Sequence, residues 1–330
     1  GSTVATVVAL GGFMIPALRE NGYPDPYSIG VMTTSGNLGV IIPPSIGMIL
    51  FSMISNCSLE ALFLTGFVPG ILITAATCLY TYFLFKNNPN IIRQPIPGIS
   101  QIWATFRECF WALMLPVVIF AGIYSGAFTA NEAAVVACIY AFVVELFIHK
   151  SMKLSDAKRV VVNSAVTSAT LLIIVAGASC FGRYLTIESI PAKITEAVTG
   201  SIHSPAVFLF AINMILLVVG CLMDIISATL IIGPVCLPLL AAFGIDPIHF
   251  GLLMTVNLAI GYTTPPVGVS LYITGSIANR DILYVTRSVM PFLIIQISIL
   301  FLMTYLPDVV LWLPRILGYE VGVHSVGGGM

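Results

Sequence analysis

Two short stretches limit what this chain can fold into: Gly39-Val-Ile-Ile-Pro-Pro44 and Gly261-Tyr-Thr-Thr-Pro-Pro266, each inside a long apolar run. Proline lacks a backbone N–H and its ring clashes with the preceding turn, so a Pro-Pro pair ends a helix. It also pushes the residue before it toward extended backbone. Each run therefore reads as two half-helices joined by a break.

The medium around those breaks follows from composition. Of 330 residues, 58% are hydrophobic and 8% charged, with a mean hydropathy of +1.04. A soluble domain carries about 25% charged residues, so this chain cannot coat a water-facing surface. It reads as an all-α polytopic membrane protein, because apolar runs of roughly 20 residues cross a bilayer as helices. A net charge of −1 with no basic cluster argues against nucleic-acid binding. The seven cysteines stand singly in apolar segments and read as small hydrophobes. Neither they nor the four scattered histidines suggest a metal site. The opening GSTVATVVALGG has no basic region typical of a signal peptide. It starts inside what looks like a half-helix, so the chain is expected to be the C-terminal part of a longer protein.

Apolar segments fall at 4–18, 27–56, 61–86, 108–127, 130–149, 163–186, 205–221, 225–243, 248–277 and 283–306. A Pro-rich loop is expected at 87–104 and a basic interfacial stretch at 150–162. The two Pro-Pro regions are copies of one unit. Pro16 and Pro238, Gly22 and Gly244, Gly39 and Gly261, Pro43 and Pro265, Pro44 and Pro266, and Pro69 and Pro291 all share one offset (265 − 43 = 222). With a slip of one residue, Asp25, Pro26 and Gly30 match Asp246, Pro247 and Gly251.

The segments 27–56, 61–86, 108–127, 130–149 and 163–186 lie between the two copies. An odd number of crossings makes the copies enter from opposite sides, an inverted repeat. Arg19, Lys86, Arg93, Arg107, Lys150, Lys153, Lys158, Arg159, Arg280 and Arg287 fall on one side, against Arg183, Lys193 and Arg315 on the other. By the positive-inside rule the first copy opens to the cytoplasm, and the second copy and the C-terminus face outside.

Broken backbone at membrane depth is tolerated where it lines a polar cavity. Its free carbonyls suit cations and its free amides suit anions. The oxygen-rich surroundings suit a hard cation such as sodium. The first copy offers Ser2, Thr3, Ser35 and Asn37; the second offers Asp224, Ser227, Thr229, Asn257, Thr263 and Thr264. Asp224 is expected to be the one deep carboxylate, as an ion ligand or as a cap on the following helix. Glu132, in Thr129-Ala-Asn-Glu132, reads as part of a capping box. His249 reads as structural.

Five ordered motifs, GSTVAT, SGNLGVIIPPSIG, GAFTANEAA, GIDPIHFG and NLAIGYTTPPVG, resemble the large membrane subunit (DctM-like) of tripartite ATP-independent periplasmic (TRAP) transporters. The resemblance implies an elevator carrier with re-entrant hairpins and two broken helices, importing a carboxylate together with sodium. On that pattern 1–56 is the first half of the transport domain, holding the end of hairpin 1 and a broken helix. Residues 57–203 are scaffold helices with an interfacial arm. Residues 204–278 carry hairpin 2 and the second broken helix, and 279–330 a scaffold helix and tail.

The resemblance also implies one sodium site at Ser2, Asn37, Gly39, Ile42 and Pro44, and another at Asp224, Thr229, Gly261, Thr264 and Pro266. Thr3, Ser45, Asn257 and Thr263 are assigned to the substrate cavity. No cofactor is expected beyond sodium as coupling ion, and no enzymatic activity. The implied partners are a small four-helix membrane subunit, separate or fused, a periplasmic substrate-binding protein, and an organic acid of sialic acid or C4-dicarboxylate type. The implied place is the bacterial inner membrane. Importing a dianion against about 2.3 kcal/mol per charge per 100 mV needs at least two cations for electroneutrality. The alternative reading is a stand-alone sodium/dicarboxylate elevator carrier. An aspartyl enzyme would need a carboxylate pair, and a channel a continuous polar ring.

Overall fold

The computed structural model describes residues 1–92 and 97–321. Arg93 of the charge count, part of the expected Pro-rich loop and the last residues of the tail lie outside them. The described residues are helices joined by turns, in the order α1 Thr3–Glu20, α2 Asp25–Ser35, α3 Leu38–Ile41, α4 Ile46–Ser55, α5 Leu59–Phe85, α6 Ile99–Tyr124, α7 Ala130–Val143, α8 Leu154–Ile187, α9 Ile190–Ser201, α10 Pro205–Leu222, α11 Ile225–Phe243, α12 Pro247–Gly261, α13 Val269–Ala278, α14 Ile282–Tyr305 and α15 Pro307–Ile316. Nine spans among them are long and apolar enough to cross a membrane, counting Asp25–Ser55 as one and joining α7 to the π-helical turn Val144–Ile148 that follows it as Ala130–Ile148.

Several boundaries differ from expectation. The helix expected over 108–127 begins at Ile99, and the basic stretch 150–162 is largely the first turns of α8. Helices α9 and α15 were not foreseen, since at 12 and 10 residues they fall below the length that a search for spans detects. The capping box at α7 is formed: Thr129 and Glu132 each satisfy the other's backbone N–H.

Two compact units divide the described residues: 97–176, and 1–92 together with 177–321. In the smaller one α6 and α7 pack as neighbours, with the Tyr140 hydroxyl donating to the Trp111 carbonyl at 2.8 Å.

The larger unit holds both repeats, and they are interleaved. Hairpin arm α1 packs on α13, the second half of the other repeat's broken helix, and its counterpart α11 packs on α4. The exchange continues outward, with α14 on α2 and α5 on α12. Matched glycines permit these approaches. A Cβ on Gly30 would lie 2.1 Å from the Ser288 carbonyl of α14, and one on Gly251 2.4 Å from the Phe51 ring of α4. Gly22 (φ +85) and Gly244 (φ +64) both end a hairpin arm in a left-handed turn, closed by Tyr23 N–H to Leu18 O and by Ile245 N–H to Leu240 O.

At the centre lies α12, in which every residue from Ile248 to Gly261 is buried. A helix apolar on all sides belongs to a core. Leu216, Phe51, Leu62 and Leu300 from the surrounding helices are fully covered against this cluster.

Candidate substrate and ion site

Both broken helices are interrupted where the sequence places the prolines. The first opens between α3 and α4 at Ile42–Ser45, and the second between α12 and α13 at Tyr262–Gly268. The Pro43-Pro44 and Pro265-Pro266 peptide bonds are both cis. At the end of α12 the turns tighten, with Thr263 N–H donating to Ile260 O and Thr264 N–H to Gly261 O, each at 3.0 Å.

The start of α1 meets the first break, and the α10–α11 turn meets the second. At the first, a Cβ on Gly39 would lie 2.2 Å from Thr6 Oγ1 and 3.4 Å from the Ser2 carbonyl. A Cβ on Gly1 would lie 2.9 Å from the Pro44 carbonyl. At the second, a Cβ on Gly261 would lie 2.4 Å from the Gly220 carbonyl carbon, the Val267 N–H donates to Cys221 Sγ, and the Ile225 N–H donates to the Tyr262 hydroxyl at 3.1 Å.

Between the two tips lies a cavity of about 90 Å³, lined by Gly1 to Val4, Val40, Ile46, Gly47, Ile225, Ile226 and Tyr262. That is room for about three waters. The N-terminal ends of α1, α4 and α11 all reach it, bringing the positive ends of three helix dipoles to one small space. No lysine or arginine is among the lining residues. Free amides at helix N-termini suit an anionic group; at α11 the Ile225 and Ser227 amides are already taken up by Tyr262 and Asp224.

A buried polar bridge ties the repeats together beside it. Asn37 Nδ2 donates to Gln296 Oε1 at 2.8 Å and to Thr263 Oγ1 at 3.1 Å, and Gln296 Nε2 donates to the Thr34 carbonyl at 2.9 Å. Buried polar atoms are normally paired. Yet Thr3 Oγ1, Asn37 Oδ1, Ser45 Oγ and Ser270 Oγ, all fully buried, have no hydrogen-bond partner. These oxygens sit on the first hairpin arm and the broken helices, and they suit a hard cation that takes oxygen ligands.

The sequence-derived residues fare differently. Ser2, Gly39 and Pro44 are brought together, and Asn37 is buried with a free oxygen. Ile42 leans its side chain on Gly70 of α5, so only its backbone is available to a site. Asp224, in the turn between α10 and α11, is exposed on the protein; it accepts from Ser227 N–H at 2.9 Å and from Ser227 Oγ at 2.6 Å, and so caps α11. Thr229 is buried one turn further on, Thr264 Oγ1 donates to the Ile260 carbonyl, and Pro266 is exposed beside Val267.

Of the assigned cavity residues, Thr3 lines the cavity and Thr263 bonds to Asn37. Asn257 does not come to the cavity. It shares the α10-facing stripe of α12 with Gly261, four residues on, and donates to Asn213 Oδ1 at 2.6 Å, while Asn213 donates to Thr304 Oγ1. His249 is structural, its Nε2 2.9 Å from the Met303 carbonyl. Asp246, the cap of α12, is a buried carboxylate whose burial sequence reasoning missed. It stands at the far end of α11 from Asp224, and 19 residues of helix put about 28 Å between them, which excludes an aspartyl pair.

The family model for the DctM component of the tripartite ATP-independent periplasmic transporter matches residues 1–309. Among curated relatives, the C4-dicarboxylate TRAP transporter large permease protein DctM of Pseudomonas aeruginosa is 37% identical over 318 residues, 96% of this chain and 74% of that one. The isethionate TRAP transporter permease protein DctMQ of Oleidesulfovibrio alaskensis is 35% identical, over 94% of this chain and 49% of its own. The sialic acid TRAP transporter permease protein SiaT of Haemophilus influenzae is 32% identical, over 96% and 51%. With the broken-helix repeat, the membrane-length spans and the cavity in place, the chain belongs to the DctM family of TRAP transporter permeases and is a transport protein, not an enzyme.

Proposed function

We propose that this chain is the transporting subunit of a sodium-coupled importer for a small organic anion, of the C4-dicarboxylate or sialic acid type, working by an elevator motion in the inner membrane. The observation that carries the reading is the convergence of three helix N-termini on one cavity without a basic side chain. That arrangement suits a carboxylate, held by amides and released again, better than a permanent ion pair would. Relatives named for a C4-dicarboxylate, isethionate and sialic acid share an organic anion as their solute.

Sodium enters as co-substrate. Site 1 would use the Ser2, Gly39, Ile42 and Pro44 backbone with Asn37 Oδ1. Site 2 would use Asp224, Thr229, Gly261, Thr264 and Pro266. Supporting this are the unpaired buried oxygens and the packing of the start of α1 on the first break and of the α10–α11 turn on the second. A small four-helix membrane subunit and a periplasmic binding protein complete the assembly. The cytoplasm lies on the side of Arg19 and Arg280, and the C-terminus outside. The test is uptake into proteoliposomes holding the complete membrane complex, with and without the purified binding protein. Uptake should vanish when the binding protein is omitted; equal uptake without it would make the chain part of a stand-alone carrier.

A further inference from the structure

Tyr262, at the second break, makes hydrogen bonds to three elements. Its backbone N–H closes the last turn of α12 onto Ala259 O and Ile260 O. Its carbonyl accepts from Ser270 N–H at 3.0 Å, which ties the start of α13 back to the break. Its hydroxyl accepts from Ile225 N–H at 3.1 Å, taking up the first amide of α11 at the hairpin 2 tip. Tyr262 also lines the 90 Å³ cavity.

The first repeat has no such device. The position 222 residues before Tyr262 is Val40, which also lines the cavity but carries no hydroxyl, and the counterpart of Ile225 is Thr3. The Thr3 hydroxyl is fully buried at the cavity and has no partner. The two hairpins are therefore unequal at the point where they face each other: the second is fastened by a side chain, and the first keeps a hydroxyl free.

We propose that Tyr262 is a positioning residue that fastens the hairpin 2 tip to the second break, so that an ion held at the break closes the hairpin. The inference rests on the sodium reading above. An ion held by backbone carbonyls between Gly261 and Pro266 fixes the loop. The loop fixes the start of the Tyr262 side chain, and the phenol fixes the Ile225 amide. An apolar residue, as at Val40, would pack in the same place without passing the constraint on.

The test is amide hydrogen exchange on the full-length permease complex in sodium chloride and in potassium chloride, for the wild type and Tyr262→Phe. Phenylalanine keeps the ring and removes only the hydroxyl. In the wild type, sodium should slow exchange both at the hairpin 2 tip (223–227) and at the break (258–268). In Tyr262→Phe the break should keep its sodium protection, which shows that the variant is folded and binds the ion. The tip should exchange about tenfold faster in sodium, the size expected for one lost hydrogen bond. Equal sodium protection of the tip in both proteins would overturn the fastening role and leave the sodium reading standing. A wild type in which sodium protects neither segment would overturn both.

Discussion

Asparagine caps a helix as well as aspartate does, so Asp224→Asn separates the two roles open to Asp224. The cap on Ser227 survives and only the charge is lost. The account predicts an inserted protein that needs at least about tenfold more sodium for half-maximal uptake, since even at an effective dielectric of 20 a charge about 4 Å from a cation is worth several kcal/mol. An unchanged sodium titration would remove Asp224 from the second site. Asn37→Ala is expected to act on stability as well as transport. It strands Gln296 Oε1 in a buried bridge, while Thr263 Oγ1 keeps its bond to the Ile260 carbonyl; the one unsatisfied group costs about 1–3 kcal/mol, readable as a lowered thermal midpoint in detergent. At this scale the sequence was informative wherever chemistry is tied to a break. Ser2, Asn37, Gly39 and Gly261 could be named because prolines and glycines mark their surroundings. Gln296 and Asn213 could not, since each is a lone polar residue on an apolar run and its partner comes from a distant helix; Tyr262 lies in the break motif, but its partner, the Ile225 amide, belongs to another helix.

The glycines of the repeat decide how closely the elements approach. Gly30→Ala would place a methyl 2.1 Å from the Ser288 carbonyl and force α2 off α14, for which overpacking costs about 1–3 kcal/mol. Gly12, also helical, has nothing within 4 Å of a built Cβ, so Gly12→Ala should leave the thermal midpoint no lower. If the two substitutions proved equally harmless, the packing of α14 on α2 would be wrong. Most of the helices were legible from hydropathy alone, because spans of 18 residues or more leave a long apolar run. The short α9 and α15 do not. The interleaving of the repeats was equally hidden: an offset of 222 shows that two units are alike, but it does not show that the second half of each broken helix packs on the other repeat's arm.

Within the larger unit, one carboxylate ties the ends of α1 and α2 to the α13–α14 turn and the start of α14. Asp25, at the start of α2, pairs with Arg19 at the end of α1, with Arg280 between α13 and α14, and with the Tyr284 hydroxyl of α14. Arg19 and Arg280 therefore lie at the same end of the bundle, as the count of crossings required. Their side chains are 36% and 48% exposed. Exposed pairs contribute about 0–1 kcal/mol each, so Asp25→Asn should cost under about 2 kcal/mol and cost less as salt rises. A much larger, salt-independent loss would mean that the pairs are shielded from water.

The central claim is that two broken helices and two hairpin tips couple a cation to an organic anion. It is tested most directly by uptake of labelled C4-dicarboxylate and sialic acid into proteoliposomes of the complete complex with its binding protein present, driven in turn by an inward sodium gradient, an inward proton gradient and no gradient. The account predicts accumulation of one of the two solutes with the sodium gradient alone. Accumulation driven equally by protons, or by no ion at all, would contradict it.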